Sequence, residues 1–160
     1  MKKKKRKGVA QIQKLAGRCP YCGGTVTYRS AHGIYRENSR NVMLYVCSNY
    51  PTCDAYVRVH EGTNIPVGTL ANQQLRALRK QAHDRFNRLF LSGRMSRDDA
   101  YAWLSCVLDA PNAHAHIGRM SEYYCRRVIE ESDKLLSNSK SRPNKGGRPY
   151  AFNKRAAASG

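Results

Sequence analysis

The most specific chemistry in the chain lies in its cysteines. Four of the six fall into two pairs. The first pair is Cys19-Pro-Tyr-Cys22-Gly-Gly and the second Cys47-Ser-Asn-Tyr-Pro-Thr-Cys53, with 24 residues between Cys22 and Cys47. A two-residue spacer lets one tight turn present two thiolates, and Gly23 and Gly24 can adopt the positive φ that such a turn needs. Pro51 shapes the wider second turn. Zn²⁺ takes four such thiolates in a tetrahedron, with sulfurs at about 2.3 Å. Disulfides are out of place in a reducing compartment, and free thiols explain neither the pairing nor the glycines. The expectation is one Zn²⁺ held by Cys19, Cys22, Cys47 and Cys53. Four thiolates leave no open coordination position, so the ion is structural and not catalytic.

These ligands need elements to bring them together. Residues 18–62 carry the strand-like runs Thr25–Ser30, Val42–Val46 and Ala55–His60. In the last, Val57 and Val59 alternate with Tyr56, Arg58 and His60, the period of a half-exposed strand. A unit of this size has too little core to fold alone, so the metal must supply folding energy. Residues 63–137 open with turn residues and then change to helical period. Ala71, Leu75, Leu78, Ala82, Phe86, Leu89 and Phe90 share one face, with Asn72 placed to cap. A second helix starts at Ser96, with Asp98 and Asp99 at its positive end, and stops at Asp109-Ala-Pro111. Its apolar face is Ala100, Trp103, Leu104, Val107 and Leu108. A third opens at Ser121 and is expected to bury Tyr124, Cys125, Val128, Ile129, Leu135 and Leu136. Cys125 reads as a core thiol and Cys106 as a flank residue. His114 and His116 belong to the preceding loop.

The fold class expected is therefore α+β, a small β zinc ribbon followed by a three-helix segment. A basic arm (1–17) and a basic tail (138–160) flank it, both too polar to fold alone. There are 29 Lys and Arg against 11 Asp and Glu, a formal charge of +18. Six basic residues lie in 2–7 and six in 137–160, with no acid in either stretch. Such a field attracts polyanions, and nucleic acid is the expected partner. Six of the ten tyrosines lie in the ribbon, interleaved with arginines. Aromatic faces on a positive sheet stack unpaired bases. Tyr28, Arg29, Tyr56 and Arg58 are the candidate contacts there, with Arg76, Arg79 and Lys80, alongside His83, as a candidate phosphate-following row on the first helix. The alternatives are that several tyrosines form the ribbon's core and that the basic row is a solvated face.

Two stretches resemble known proteins. Cys19-Pro-Tyr-Cys-Gly-Gly24 with Tyr45-Val-Cys-Ser-Asn-Tyr-Pro-Thr-Cys53 resembles the C-terminal zinc ribbons of bacterial type I DNA topoisomerases. That resemblance implies DNA binding, largely single-stranded, and no strand passage, since the catalytic domain of that family has no counterpart here. Across about 19–130, the stretches Asp54-Ala-Tyr-Val57, Gly62-Thr-Asn-Ile-Pro66, Leu75-Arg-Ala-Leu-Arg79, Ala100-Tyr-Ala-Trp-Leu104 and His116-Ile-Gly118 resemble an uncharacterised zinc-finger-containing family of bacteria and their phages. In the tail, Lys145-Gly-Gly-Arg148-Pro resembles an AT-hook, which implies contact with the A·T-rich minor groove through Lys145 and Arg148. Gly146 stands where that motif has Arg.

No nucleophile with an adjacent base and no carboxylate cluster is evident, so an enzyme is not expected. No apolar run approaches the roughly 20 residues that span a bilayer, and no apolar core follows the charged Met1–Lys7. The expected location is cytoplasmic, in a bacterial cell or a phage-infected host, with no membrane partner. The leading reading is a non-enzymatic nucleic-acid-binding protein, with DNA favoured, single-stranded or A·T-rich duplex. The alternatives are a module docking on a polymerase or other replication or transcription protein, as a phage-encoded regulator would, and an RNA-binding protein.

Overall fold

The computed structural model describes residues 17–109 and 116–138. The arm before Gly17, His114, and the tail from Ser139 on, with Lys145 and Arg148, lie outside the described residues. The fold is α+β, as expected. Strands β1 (Val26–Ser30), β2 (Met43–Cys47) and β3 (Tyr56–Arg58) form one antiparallel sheet in the order β1-β2-β3. Helices α1 (Gln73–Leu91), α2 (Arg97–Leu108) and α3 (Glu122–Ser137) follow, with a short 3₁₀ turn at Ile117–Arg119 before α3.

The register, Tyr28 opposite Tyr45 and Tyr45 opposite Val57, decides what each face carries. Side chains alternate along a strand. One face gathers Cys19, Tyr45, Cys47, Ala55, Val57, Val59 and Leu70 into a core. The other buries Ala31, Leu44 and Val46, with Ile34, Tyr35, Tyr50 and Tyr56 packed against them. The central strand β2 is thus covered on both sides, and β1 is an exposed edge. The link from sheet to helices belongs to the sheet's packing: Val67 and Leu70 join the first core, and Ala71 exchanges two backbone hydrogen bonds with Tyr56.

The helices begin where their caps allow. The Asn72 side chain accepts from the Leu75 amide at 2.9 Å, and Ser96 accepts from the Asp99 amide at 3.1 Å. Asp109, at φ 51°, ends α2. Leu75, Leu78, Ala82, Phe86 and Leu89 of α1 meet Ala100 and Leu104 of α2 and Cys125 and Val128 of α3. Tyr124 is a correction: it is 40% exposed, because the buried stripe of α3 is the narrower Cys125, Val128 and Ser132. Cys125 is buried and Cys106 exposed, as their places on the helices imply.

One crossing ties the link to the helical layer. Gly68 passes so close to the Gly118 carbonyl oxygen that a Cβ there would collide with it, and the Thr69 amide donates to that same oxygen at 3.1 Å. Only glycine permits that approach.

Candidate metal centre

Cys19 and Cys22 sit on the turn before β1. Cys47 ends β2, and Cys53 closes the turn that leads to β3. Pairing of Val26 with Cys47 carries the first turn to the end of β2. The Cys19 amide donates to the Gly24 carbonyl at 2.6 Å, and the Gly23 amide returns to the Cys19 carbonyl at 2.9 Å, with Gly23 at φ 72°. The second turn is fixed by the Cys53 amide donating to Asn49 and the Cys47 amide donating to Ala55, both at 2.9 Å. The Tyr50–Pro51 peptide within it is cis.

These turns bring all four sulfurs within 4.8 Å of one another. Cys19 Sγ and Cys53 Sγ are 3.7 Å apart, and Cys22 Sγ and Cys47 Sγ 3.3 Å. Four sulfurs at about 2.3 Å around a tetrahedral zinc lie about 3.8 Å from each other, so the cluster has the dimensions of that ligand set. Amides complete it. Gly24 N–H points to Cys22 Sγ at 3.4 Å and Asn49 N–H to Cys47 Sγ at 3.5 Å, and the Asn49 side-chain amide reaches Cys22 Sγ at 3.3 Å. Such donors stabilise thiolate charge and orient the ligands. The Gly24 amide first, then the Asn49 side chain and Cys47, hold the Cys22 thiol down at about 6. Burial pushes Cys47 up to about 12. Zn²⁺ reverses that preference at Cys47, because a coordinating thiol is deprotonated outright. Gly24 has its own packing reason: a Cβ there would stand 2.8 Å from Asn49 Nδ2. Asn49 has no signal in the cysteine spacing, though it lies inside the second pair.

The residue after the last ligand joins this centre to the helices. The Asp54 carboxylate accepts from the Gln73 amide at 2.9 Å and from Arg76 Nη2 at 3.0 Å. Arg76 also lies over the Tyr56 ring, 3.7 Å from its centroid. In the candidate phosphate-following row on α1, two of the guanidinium groups are therefore engaged within the fold. Arg76 is engaged by Asp54. Arg79 is buried, and donates to the Met120 carbonyl at 3.0 and 3.1 Å, to the Thr69 carbonyl at 2.9 Å and to the Thr69 hydroxyl at 2.7 Å. Both guanidinium groups hold the fold together. Lys80 and His83 stay exposed.

The ribbon tyrosines divide. Tyr45 is core, and its hydroxyl donates to the Asn64 carbonyl at 2.9 Å. Tyr35, Tyr50 and Tyr56 are half-buried, and Tyr28 is 45% exposed. Tyr28 and Tyr56 lie on opposite faces of the sheet, because one pairs with Tyr45 and the other with Val46. Arg29, with its guanidinium carbon 5.6 Å from the Tyr50 centroid, shares the Tyr56 face. Arg58 is exposed at the end of β3.

Among the described residues, no helix is long and apolar enough to cross a membrane. No curated protein and no solved structure matches the chain. A family described as a zinc-finger-containing domain matches residues 15–135, which takes in both cysteine pairs, the sheet and nearly all of the three helices. With that match and the four converging sulfurs, the chain belongs to this zinc-finger-containing family, and Cys19, Cys22, Cys47 and Cys53 are the ligands of one structural zinc ion.

Proposed function

We propose that the chain is a non-enzymatic nucleic-acid-binding protein, with DNA the favoured target, and that its zinc serves to hold the binding sheet in shape. One observation carries this reading. On one face of the sheet, Arg29, Tyr50, Tyr35, Tyr56 and Arg58 alternate aromatic and cationic groups over a single surface. Tyr35 and Tyr56 stand 6.1 Å apart edge to face, and Tyr35, whose phenol burial pushes up, lies in the field of Tyr56, Arg58 and Arg76. Partly open rings beside exposed arginines suit stacking of bases and pairing of phosphates. The formal charge of +18 adds affinity that carries no sequence information. The basic ends, including Lys145 and Arg148, act in the same way.

A salt-titrated panel of single-stranded DNA, duplex DNA and RNA, with and without residues 138–160, tests the reading. Binding should fall steeply with salt, and Arg29→Ala and Arg58→Ala should weaken it in the full chain. A better fit to RNA than to matched single-stranded DNA would move the target to RNA. No binding at low salt overturns the proposal. A second reading, docking on a replication or transcription protein, is favoured by Tyr123 and Tyr124, which are 64% and 40% exposed at the start of α3. Stoichiometric capture of one protein, lost on Tyr123→Ser, would support it.

A further inference from the structure

At the end of the sheet away from the cysteines, a cleft of about 690 Å³ opens between β1 and the turn that follows β3. Its volume falls in the range of roughly 300–1,000 Å³ usual for small-ligand sites. Tyr28 lines it with Met43, Arg40, Arg58, His60 and Asn64. Glu61 is the one acid among its lining residues, against two arginines.

The cleft is built and held open. The Tyr28 ring packs against Tyr45 at 5.1 Å between centroids, which fixes its plane. The Tyr45 hydroxyl holds the Asn64 carbonyl, so the same residue anchors the opposite wall. That wall is a closed turn. The His60 amide donates to Ile65 at 2.8 Å, the Thr63 hydroxyl donates to the His60 carbonyl at 2.9 Å, and Gly62 takes φ 70°. Beyond Arg40, the Asn38 side chain accepts from the Val42 amide at 2.7 Å and donates to the Ser30 hydroxyl at 3.0 Å. A partly exposed ring with Met43 and Val59 beside it, and amide and guanidinium groups in the same lining, matches an unstacked nucleobase with its phosphate.

We propose that this cleft seats one unpaired base of a bound single strand, with the Tyr28 ring as stacking face and Arg40 and Arg58 on the flanking phosphates. The inference rests on the nucleic-acid reading above and adds a specific subsite to it. Arg58 lines the cleft and also lies near Tyr35, so it joins the two surfaces. A strand can then pass around the end of β3 from one to the other.

The test uses the full, zinc-loaded chain with tetrathymidylate, followed by amide chemical shifts and by fluorescence-detected affinity. Shifts should centre on Tyr28, Asn41, Thr63 and Asn64. Tyr28→Ala should weaken binding roughly 5- to 150-fold, the range expected for loss of one stacked base. Tyr28→Phe, which keeps the ring, should retain it. Arg40→Glu, an exposed change that spares the sheet, should weaken binding and flatten its salt dependence. Unchanged affinity of a folded Tyr28→Ala, or shifts confined to Arg29, Tyr50 and Tyr56, overturns the subsite while leaving the general reading in place. Failure of the unmodified chain to bind longer single strands at low salt overturns both.

Discussion

Arg76 donates through Nη1 to the Asp54 carbonyl at 2.7 Å and through Nη2 to the Asp54 carboxylate at 3.0 Å. Asp54 directly follows the last zinc ligand, and Arg76 lies in the first turn of α1. The pair therefore transmits the position of the metal turn to the helical layer. Tyr56, the first residue of β3, packs under the same guanidinium. Removal of either partner should be felt in both halves. Arg76→Ala should cost about 1–3 kcal/mol, from charge-assisted hydrogen bonds plus the lost Tyr56 ring contact, and Asp54→Ala a similar amount, from the acceptor lost to Arg76 and to the Gln73 amide. Urea denaturation of the single and double variants checks this. The double variant should cost clearly less than the sum, since both changes break one contact.

Arg79 is a sharper case, because its charge is buried with carbonyl and hydroxyl acceptors and, among the described residues, with no acid bonded to it. Arg79→Ala leaves the Met120 and Thr69 acceptors short of donors, at about 1–3 kcal/mol for each group left unsatisfied. Arg79→Lys should rescue little, since one ammonium cannot reproduce the fork. Thermal melting should rank wild type above Lys and Lys above Ala. Lys80→Ala, one residue away and exposed, should leave the melting temperature unchanged.

At Gly68 the prediction is steric. A methyl group meets the Gly118 carbonyl oxygen, which is backbone and cannot rotate away. Gly68→Ala should therefore cost about 1–3 kcal/mol, the usual range for an overpacked site. The same change at exposed Gly33, whose Cβ position is open, meets no atom and tests only its φ of 79°. Comparing the two by chemical denaturation separates collision from backbone preference.

Acidification should release the metal. Protons compete with Zn²⁺ for the same four thiolates, so affinity falls as pH falls. Cys22, held down at about 6, offers its thiolate readily, whereas burial makes the Cys47 proton hard to remove. A zinc-chelator competition series run from neutral to acidic pH should show affinity declining throughout, with loss of sheet structure following loss of metal.

The parts of this structure that were legible in the sequence are those set by local spacing. Paired cysteines define a ligand set within a few residues, and valine alternation at Val57 and Val59 defines a strand face. Asn72 and Ser96 cap because a cap needs only the amide three residues ahead. What could not be read depends on distant partners. Arg79 looks like one of a basic row until Met120, far along the chain, supplies its acceptor. Tyr124 follows helical period but lies beyond the width that α1 and α2 cover. The cleft beside Tyr28 exists because Tyr45 reaches across to Asn64, and no periodicity encodes that reach.

The most direct measurement is native mass spectrometry of the purified chain, paired with circular dichroism during chelation. One zinc ion per chain should be found in the intact protein, and it should be lost, together with the sheet signal, in Cys19→Ser and in Cys53→Ser. A chain that carries no stoichiometric metal, or a sheet that survives chelation unchanged, would contradict the claim that four thiolates around zinc organise this fold.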